Sequence, residues 1–336
     1  MEKAHYLGID VGGTKVAFRV ENGDRCVAER TFPWGPRYSA AQDLALLAEQ
    51  VAALRATLDS PPRAVGVAMP GTVGRDGRIT AWPSRPEWTG VDLDAALREL
   101  FPEAVVAWAD DGDLGALAEA RASGCDDLLY LGVGTGVGGG LVLGGTLCPG
   151  LGRGSFEIGH LIIEMGGVVC VCGRQGCLQA IASGPATLRR AGLLRGADVD
   201  YDGLRGALRD GQTWAVAAVE QTCRALAAAV AGVQELVHPQ RALVGGGFAA
   251  GIPGIVELVS EHLADLARPG QPVLTVEPAT LGGLSSLRGA VALARVIAAE
   301  ETSAERVYVL PRRAERALGL VEKQDLVPAA EGDSGE

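Results

Sequence analysis

Residues 5–21 read HYLGIDVGGTKVAFRVE, two apolar runs joined through Gly12, Gly13, Thr14 and Lys15. Glycine pairs suit tight hairpins, so the reading is strand, turn, strand, with Asp10 near the end of the first strand. Glycines also let backbone N–H groups approach a polyphosphate closely. Thr14 can donate a hydroxyl there, and Asp10 can hold a magnesium ion or its water shell. The stretch is not a Walker A loop, which needs Gly-Lys-Ser/Thr ahead of a helix, and it is not a dinucleotide fingerprint. A plain hairpin is the alternative for this motif taken alone.

Moving outward, RCVAERTF, a helical pattern over 43–58 and RAVGVAMPG alternate strand-like and helix-like pieces, the grammar of an α/β layer. The device then recurs. DDLLYLGVGTGVGGGLVLGG (126–145) turns at Gly134, Thr135 and Gly136, and RALVGGGFAAG (241–251) turns at Gly245, Gly246 and Gly247. The recurrence suggests two related halves. Three glycine loops, each at the end of an apolar run, point to a nucleotide site split along the chain.

Between the first and second loops, AVVAWADDGDLGALAEA (104–120) sets Asp110 and Asp111 at a strand-to-helix corner. Adjacent carboxylates make each other harder to ionise. One reading is an N-cap for the following helix, with Asp110, Asp111 or Asp113 as the cap. The other is acid–base chemistry, since the carboxyl end of a strand is where open α/β sheets present ligand-binding groups.

His160, Cys170, Cys172 and Cys177 have the spacing H-x9-C-x-C-x4-C. One imidazole and three thiolates form the ligand set of a closed, structural zinc site, which would organise the irregular segment from Gly150 to Gly176 and its polar neighbours Glu157 and Gln179. The other cysteines, Cys26, Cys125, Cys148 and Cys223, follow no disulfide spacing, which suits a reducing compartment.

The 336 residues carry a formal net charge of −11 and are 48% hydrophobic, room for one large or two medium domains. No basic stripe is present, so nucleic acid is not expected as a partner. The start MEKAHYLGID lacks the basic and apolar regions of an export signal, so a cytoplasmic location is expected. The most apolar helical stretch, Ala225–Val233, reads as a buried helix too short to cross a bilayer. From about Thr302 onward the chain is charged and aperiodic, apart from a possible short strand at RVYVLP, and is expected to be a tail.

These motifs together resemble the ROK family of sugar kinases and sugar-responsive repressors, within the actin-like, hexokinase-related (ribonuclease H-like) ATPase fold. The resemblance covers Tyr6 to Glu300. The family's D-x-G-G-T-K stands at Asp10–Lys15 and its P-G turn at Pro70-Gly71. The second phosphate loop falls at Gly132–Gly140, E-x-G-H at Glu157–His160, the zinc loop at Cys170–Cys177 and the third glycine motif at Gly245–Gly247. The resemblance implies an α/β protein with two domains flanking a cleft: a small one over 1–115 completed by a helix at 286–300, and a large one over 116–285 with the zinc loop. The charged tail over 301–336 would follow. It also implies ATP, magnesium and structural zinc as cofactors, a sugar substrate bound by Gly71, Asp110, Glu157, His160 and Gln179, Asp111 as the base acting on a 6-hydroxyl, and a homodimer.

Three positions depart from the family pattern. Asp110 replaces the Asn before the base, Gln179 replaces the Glu after the last zinc cysteine, and Ser84 stands where the sugar loop often has Asn. In the family that Asn contacts the C3 and C4 hydroxyls and that Glu the anomeric end, so the first two changes move a negative charge toward C3–C4. A carboxylate binds an ammonium through a charge-assisted bond that an amide cannot match. The expected substrate is therefore a 3-amino-3-deoxyhexose such as kanosamine, phosphorylated in an antibiotic-precursor pathway. Glucose and a C7-cyclitol are the competing substrates, and a sugar sensor without turnover is the competing class. Family sensors carry an N-terminal winged helix-turn-helix, for which the motif starting at Leu7 leaves no room, and the retention of Asp10 and Asp111 favours turnover.

Overall fold

The computed structural model describes residues 4–35, 39–74, 76–149 and 155–300. The tail over 301–336, with its RVYVLP segment, lies outside them.

The opening stretch folds as its pattern requires. Strands β1 (His5–Val11) and β2 (Lys15–Asn22) pair antiparallel, with Asp10 opposite Ala17 and Val11 opposite Val16, leaving Gly12–Thr14 as the turn. On one side β3 (Arg25–Pro33) extends the hairpin, and on the other β4 (Ala64–Ala68) and β7 (Val105–Ala109) add in parallel, giving the order β3-β2-β1-β4-β7. A two-stranded ribbon, β5 (Thr72–Val73) with β6 (Ile79–Ala81), hangs between them in sequence.

The second sheet repeats this plan. β8 (Leu128–Val133), β9 (Val137–Leu143), β10 (Thr146–Cys148), β11 (Arg241–Gly245) and β12 (Thr275–Pro278) take the order β10-β9-β8-β11-β12. Its hairpin β8–β9 is antiparallel, and β11 and β12 are parallel additions. Strand senses and order match the first sheet position for position, as two related halves require.

Helix α1 (Ala40–Arg55) opens at Ser39 through a capping box with Gln42, three residues before the expected start at Asp43. The S-x-x-Q signal is in the sequence, and Asp43 turns out to be a buried helix residue with a partner elsewhere. Helix α2 (Leu93–Leu100) covers the same half. Helices α4 (Leu178–Ala182), α5 (Gly184–Arg195), α6 (Tyr201–Arg209), α7 (Thr213–Val237) and α8 (Ile255–Asp265) belong to the second half. Helix α7 has 25 residues, long and apolar enough to span a bilayer by composition, so the short length expected for Ala225–Val233 does not hold. Burial decides its place instead: Val219, Cys223, Leu226, Val230 and their neighbours pack into the core of the second half.

Between the two sheets lie α3 (Asp111–Ser123) and α9 (Ser285–Glu300), with Leu114, Leu117, Leu293 and Ile297 in one shared apolar cluster. Helix α3 runs unbroken through residue 115. Close approach sets the geometry: a Cβ on Gly66 would stand 2.0 Å from the Ala290 carbonyl, and one on Gly289 would stand 2.1 Å from the Leu114 carbonyl. The acid corner at Asp110–Asp111 is therefore the start of a helix wedged between both halves.

Candidate active site

The first glycine loop is held by a clamp that is absent from the motif itself. Trp34 Nε1 donates to the Gly12 carbonyl at 2.7 Å and Arg85 Nε to the Gly13 carbonyl at 3.3 Å. Arg85 is fixed in turn by a buried ion pair with Asp43 at 2.6 Å, and Trp88 Nε1 donates to the same carboxylate oxygen at 2.8 Å. Trp34, Trp82 and Trp88 stack edge to face around this pair. Ser84 lies against the turn, since a Cβ on Gly13 would stand 2.5 Å from its Oγ. Gly71 packs near Met69 and Trp82 at the edge of the same cluster.

At the corner, Asp110 is the N-cap of α3: its Oδ1 accepts from Gly112 N at 2.9 Å and Asp113 N at 3.3 Å. This answers the capping question: Asp110 is the cap and Asp111 the first helical residue beside it. Asp111 Oδ1 lies over the second glycine loop, 3.8 Å from where a Cβ on Gly138 would stand. Gly112 permits that approach, since a Cβ there would meet the Gly139 carbonyl at 2.3 Å. Asp113, almost fully buried, accepts from Phe156 N at 3.4 Å and so ties the helix to the segment carrying Glu157. Glu157 itself is exposed and takes a hydrogen bond from Ser155 Oγ at 2.8 Å.

The electrostatics of this corner are strained. Burial pushes Asp10 up to about 7, with the Asp111 charge adding and Lys15 opposing. Burial also raises Asp111 to about 6, against the Gly112 N–H bond that lowers it and with the Glu157 charge adding. Asp113 is raised to about 7 by burial, with the Phe156 N–H opposing and Glu157 and Asp111 adding. Asp110 is pushed well above the carboxylate range by burial and then by Asp111, Asp113 and Glu157. Among the described residues, only Lys15 supplies positive charge to any of these four acids, and it acts on Asp10.

The second and third glycine loops meet. Gly134 and Gly136 close the β8–β9 turn with a hydrogen bond of 2.9 Å, Thr135 is exposed at its tip, and Gly184 N donates to the Gly134 carbonyl at 2.9 Å. Gly246 has φ +90° and passes so close to Val133 that a Cβ would stand 2.5 Å from its amide nitrogen, while Phe248 N donates to the Val133 carbonyl at 2.9 Å. Gly245 is buried and Gly247 exposed on the two sides of this turn.

The four metal-type ligands converge: one atom from each of His160, Cys170, Cys172 and Cys177 lies within 4.8 Å of every other. His160 turns Nδ1 to Cys170 Sγ at 3.8 Å. The Arg174 backbone N–H holds the Cys172 thiol down at about 6, favouring the thiolate that zinc needs. This donor set fits zinc. Gln179 sits between the second glycine loop and the metal-type cluster. Its Oε1 accepts from Val137 N at 3.4 Å and its Nε2 reaches Cys170 Sγ at 3.6 Å, so the side chain bridges the second glycine loop and the metal cluster.

A second clamp also escaped the motifs. Buried Glu119 on α3 accepts from Thr280 N at 2.8 Å, Leu281 N at 3.0 Å and Ser285 Oγ at 2.6 Å, binding α3 to the start of α9.

Glycine hairpins, an acid at a helix start and a cluster of metal-type ligands together suit an ATP-dependent sugar kinase. The model of the ROK family matches residues 6–297. The chain is 72% identical over 301 residues to a kanosamine kinase from Amycolatopsis mediterranei, covering 90% of this chain and 99% of that one. It is 34% identical to an N-acetylmannosamine kinase from Escherichia coli, over 75% of this chain and 87% of the relative. Its structure superposes on a ROK hexokinase from Thermus thermophilus with a TM-score of 0.75 at 31% identity, covering 88% and 99% of the two chains. A ROK family glucokinase from Streptomyces griseus, solved with glucose and AMPPNP, gives 0.74 at 27% identity over 87% and 99%. The chain belongs to the ROK family.

Proposed function

We propose that the chain transfers the γ-phosphoryl group of ATP to the 6-hydroxyl of kanosamine, 3-amino-3-deoxy-D-glucose. The observation that carries this reading is Asp110, an acid set among Asp111, Asp113 and Glu157 with no cation acting on it among the described residues. An ammonium group on C3 of the sugar supplies the missing charge. The strong likeness to a kanosamine kinase supports the same substrate.

In this reading the cleft lies between the two halves, with the sugar at the Asp110 corner and the nucleotide along the glycine loops. Asp111 accepts the proton of the 6-hydroxyl as that oxygen attacks phosphorus, and ADP leaves. Its level of about 6 leaves it ionised near neutral pH and close enough to that range to take a proton. Phosphoryl transfer asks mainly for positioning and charge stabilisation, which the amides of the Gly12–Lys15, Gly134–Gly136 and Gly245–Gly247 turns provide. Magnesium would neutralise phosphate charge when bound, and Asp10, raised by burial and then by Asp111, is the residue that would hold it. Glu157 and the Nε2 face of His160 bind other sugar hydroxyls. Gln179 acts on the sugar indirectly, by holding the zinc-type cluster against the second loop.

An ADP-release assay with kanosamine, glucose, glucosamine and a C7-cyclitol tests the reading. The expected order places kanosamine first by kcat/KM. Glucose turnover equal to or better than kanosamine overturns the amino-sugar assignment, and no ADP with any of the four overturns turnover itself.

A further inference from the structure

A cleft of about 460 Å³ is lined by the turn between β2 and β3, by α3 and by α9. It shares no residue with the glycine loops, the acid corner or the metal-type cluster. Its size falls within the roughly 300–1,000 Å³ of small-molecule sites. Small side chains make the room: Ala118 and Ala122 of α3 line it together with Val291, Ala292 and Val296 of α9.

The charged residues of the cleft are three arginines, Arg121, Arg288 and Arg295, and two acids, Glu21 and Asp24. Both acids are already engaged. Glu21 accepts from Arg19 at 2.6 Å through one oxygen and from Arg295 at 2.6 Å through the other, and Asp24 accepts from Arg295 at 3.4 Å. Arg121 and Arg288 have neither a hydrogen bond nor an ion pair among the described residues. Burial also holds the Arg121 guanidinium below its ordinary range. Arg190 is lowered in the same way, but it donates to the Ala218 and Ile181 carbonyls and to Thr222. Arg121 has no such acceptors, and a partly desolvated cation without them is costly. Two cations with no acid between them are notable in a chain whose net charge is −11.

We propose that this cleft binds a phosphorylated small molecule of sugar-phosphate size, with its phosphate held by Arg121 and Arg288 and its body over the alanine and valine side chains. Two guanidinia match a phosphate dianion in charge and offer forked N–H pairs to its oxygens, whereas a single carboxylate leaves one cation unanswered. The place of the cleft gives binding a consequence. Helix α3 packs on β8 and β9 of the second half, and α9 packs on β1 and β4 of the first. A ligand touching both helices therefore braces the seam between the halves, and α3 begins at Asp111. Binding shifts the balance between arrangements of the two halves and so changes turnover from outside the active site.

The test uses the full chain, as wild type and as the Arg121→Gln, Arg288→Gln double variant, with glucose 6-phosphate and inorganic phosphate as probes. The variant should keep wild-type turnover without probe, since neither arginine belongs to the acid corner or the glycine loops. By calorimetry it should bind glucose 6-phosphate about tenfold or more weakly than wild type, and equal affinity overturns the proposal. Hydrogen exchange of the wild type locates the probe and needs no turnover, so it stands apart from the choice of sugar substrate. Residues 118–122 and 288–299 should gain protection. Protection confined to residues 110–113 and the glycine loops places the probe at the active site as a product and overturns the second site. Inorganic phosphate bound as tightly as glucose 6-phosphate overturns the role given to the apolar floor. At saturating ATP and sugar, glucose 6-phosphate should change kcat of the wild type and not of the variant, and an identical response of both overturns the link to turnover. Should the double variant fail to fold, the wild-type exchange map decides alone.

Discussion

Replacing Asp110 by Asn separates two jobs that one side chain performs. Its Oδ1 caps α3 by accepting from Gly112 N at 2.9 Å and Asp113 N at 3.3 Å, and an Asn oxygen can take the same place. The cap, worth about 1 kcal/mol, is therefore kept. What is lost is the negative charge. A hydrogen bond to a charged group is worth about 1.5–3 kcal/mol and a neutral one about 1 kcal/mol, a difference of about 0.5–2 kcal/mol. On an ammonium substrate that is about a 2- to 30-fold loss in kcat/KM. Glucose, which has no charge to match, should lose nothing or gain, so the kanosamine-to-glucose ratio should fall by about that factor. The same change removes the acid that Asp111, Asp113 and Glu157 repel, so the substrate-free protein should melt no lower than wild type and is expected to melt higher. Steady-state kinetics with both sugars and a thermal melt read both effects. An unchanged ratio at retained turnover would refute the charge reading, and a melting point lowered by several degrees would show that the cap, not the charge, dominates this position.

Asp111→Asn should reduce kcat by about a hundredfold to ten-thousandfold while sugar binding by calorimetry persists; retained turnover removes Asp111 from the base role. Without metal and substrate, Asp10 and Asp113 at about 7 and Asp111 at about 6 take up protons that the unfolded chain, with carboxyls at their ordinary value of 3.8, does not. Their contribution to stability is fully present below about pH 4 and is lost as pH rises through about 6–7. The melting temperature of that form should rise as pH is lowered from 8 toward 5, and a fall across that window contradicts the burial of these acids. Glu119→Ala leaves the Thr280 and Leu281 N–H groups without their carboxylate. It should cost about 3 kcal/mol, roughly 6–12 °C in a calorimetric melt, and a change under one degree would remove the clamp between α3 and α9. Stripping zinc with a chelator should raise KM for the sugar more than KM for ATP, because His160 and the neighbours of Glu157 depend on the ligand cluster; an equal rise in both would place the metal's role elsewhere.

What could be read in advance follows chain distance. The hairpin at Gly12–Thr14, the corner at Asp110–Asp111 and the convergence of His160 with Cys170, Cys172 and Cys177 rest on residues within about one loop of each other, where turn chemistry and ligand spacing act directly. The recurrence of glycine turns was enough to suggest two halves, and the matching strand orders bear that out. The clamps were not legible. Arg85 reaches Asp43 across 42 positions and Glu119 reaches Ser285 across 166, and nothing in either local pattern distinguishes these from solvated charges. One signal for Asp43 was available, since S-x-x-Q at Ser39 places it inside the first turn, where a solvated acid is common and a buried one is not. The contacts of Gln179 were not legible for a different reason. Spacing places a residue on a helix, but only packing decides whether its amide turns to a substrate or to Cys170 and Val137.

The two clamps and the acid corner belong to one argument. Four carboxyl groups held above their ordinary range destabilise the fold wherever they are ionised, so the surrounding structure must hold them in place against that repulsion. Arg85 on the Gly13 carbonyl holds the strand pair that carries Asp10, and Glu119 holds the helix that begins with Asp111. Neither clamp reduces the negative charge, because Arg85 is already neutralised by Asp43 and Glu119 is itself an acid. Relief has to come from bound cations. If magnesium answers Asp10 and the sugar's ammonium answers Asp110, each ligand lowers the carboxyl levels that the other meets, and the two should bind with positive coupling. Glucose offers no such charge, so magnesium should tighten kanosamine binding more than glucose binding. Calorimetric titration of each sugar with and without magnesium measures that difference directly, and equal enhancement of both would mean that the acids at 110 and 113 do not sense the substrate's charge.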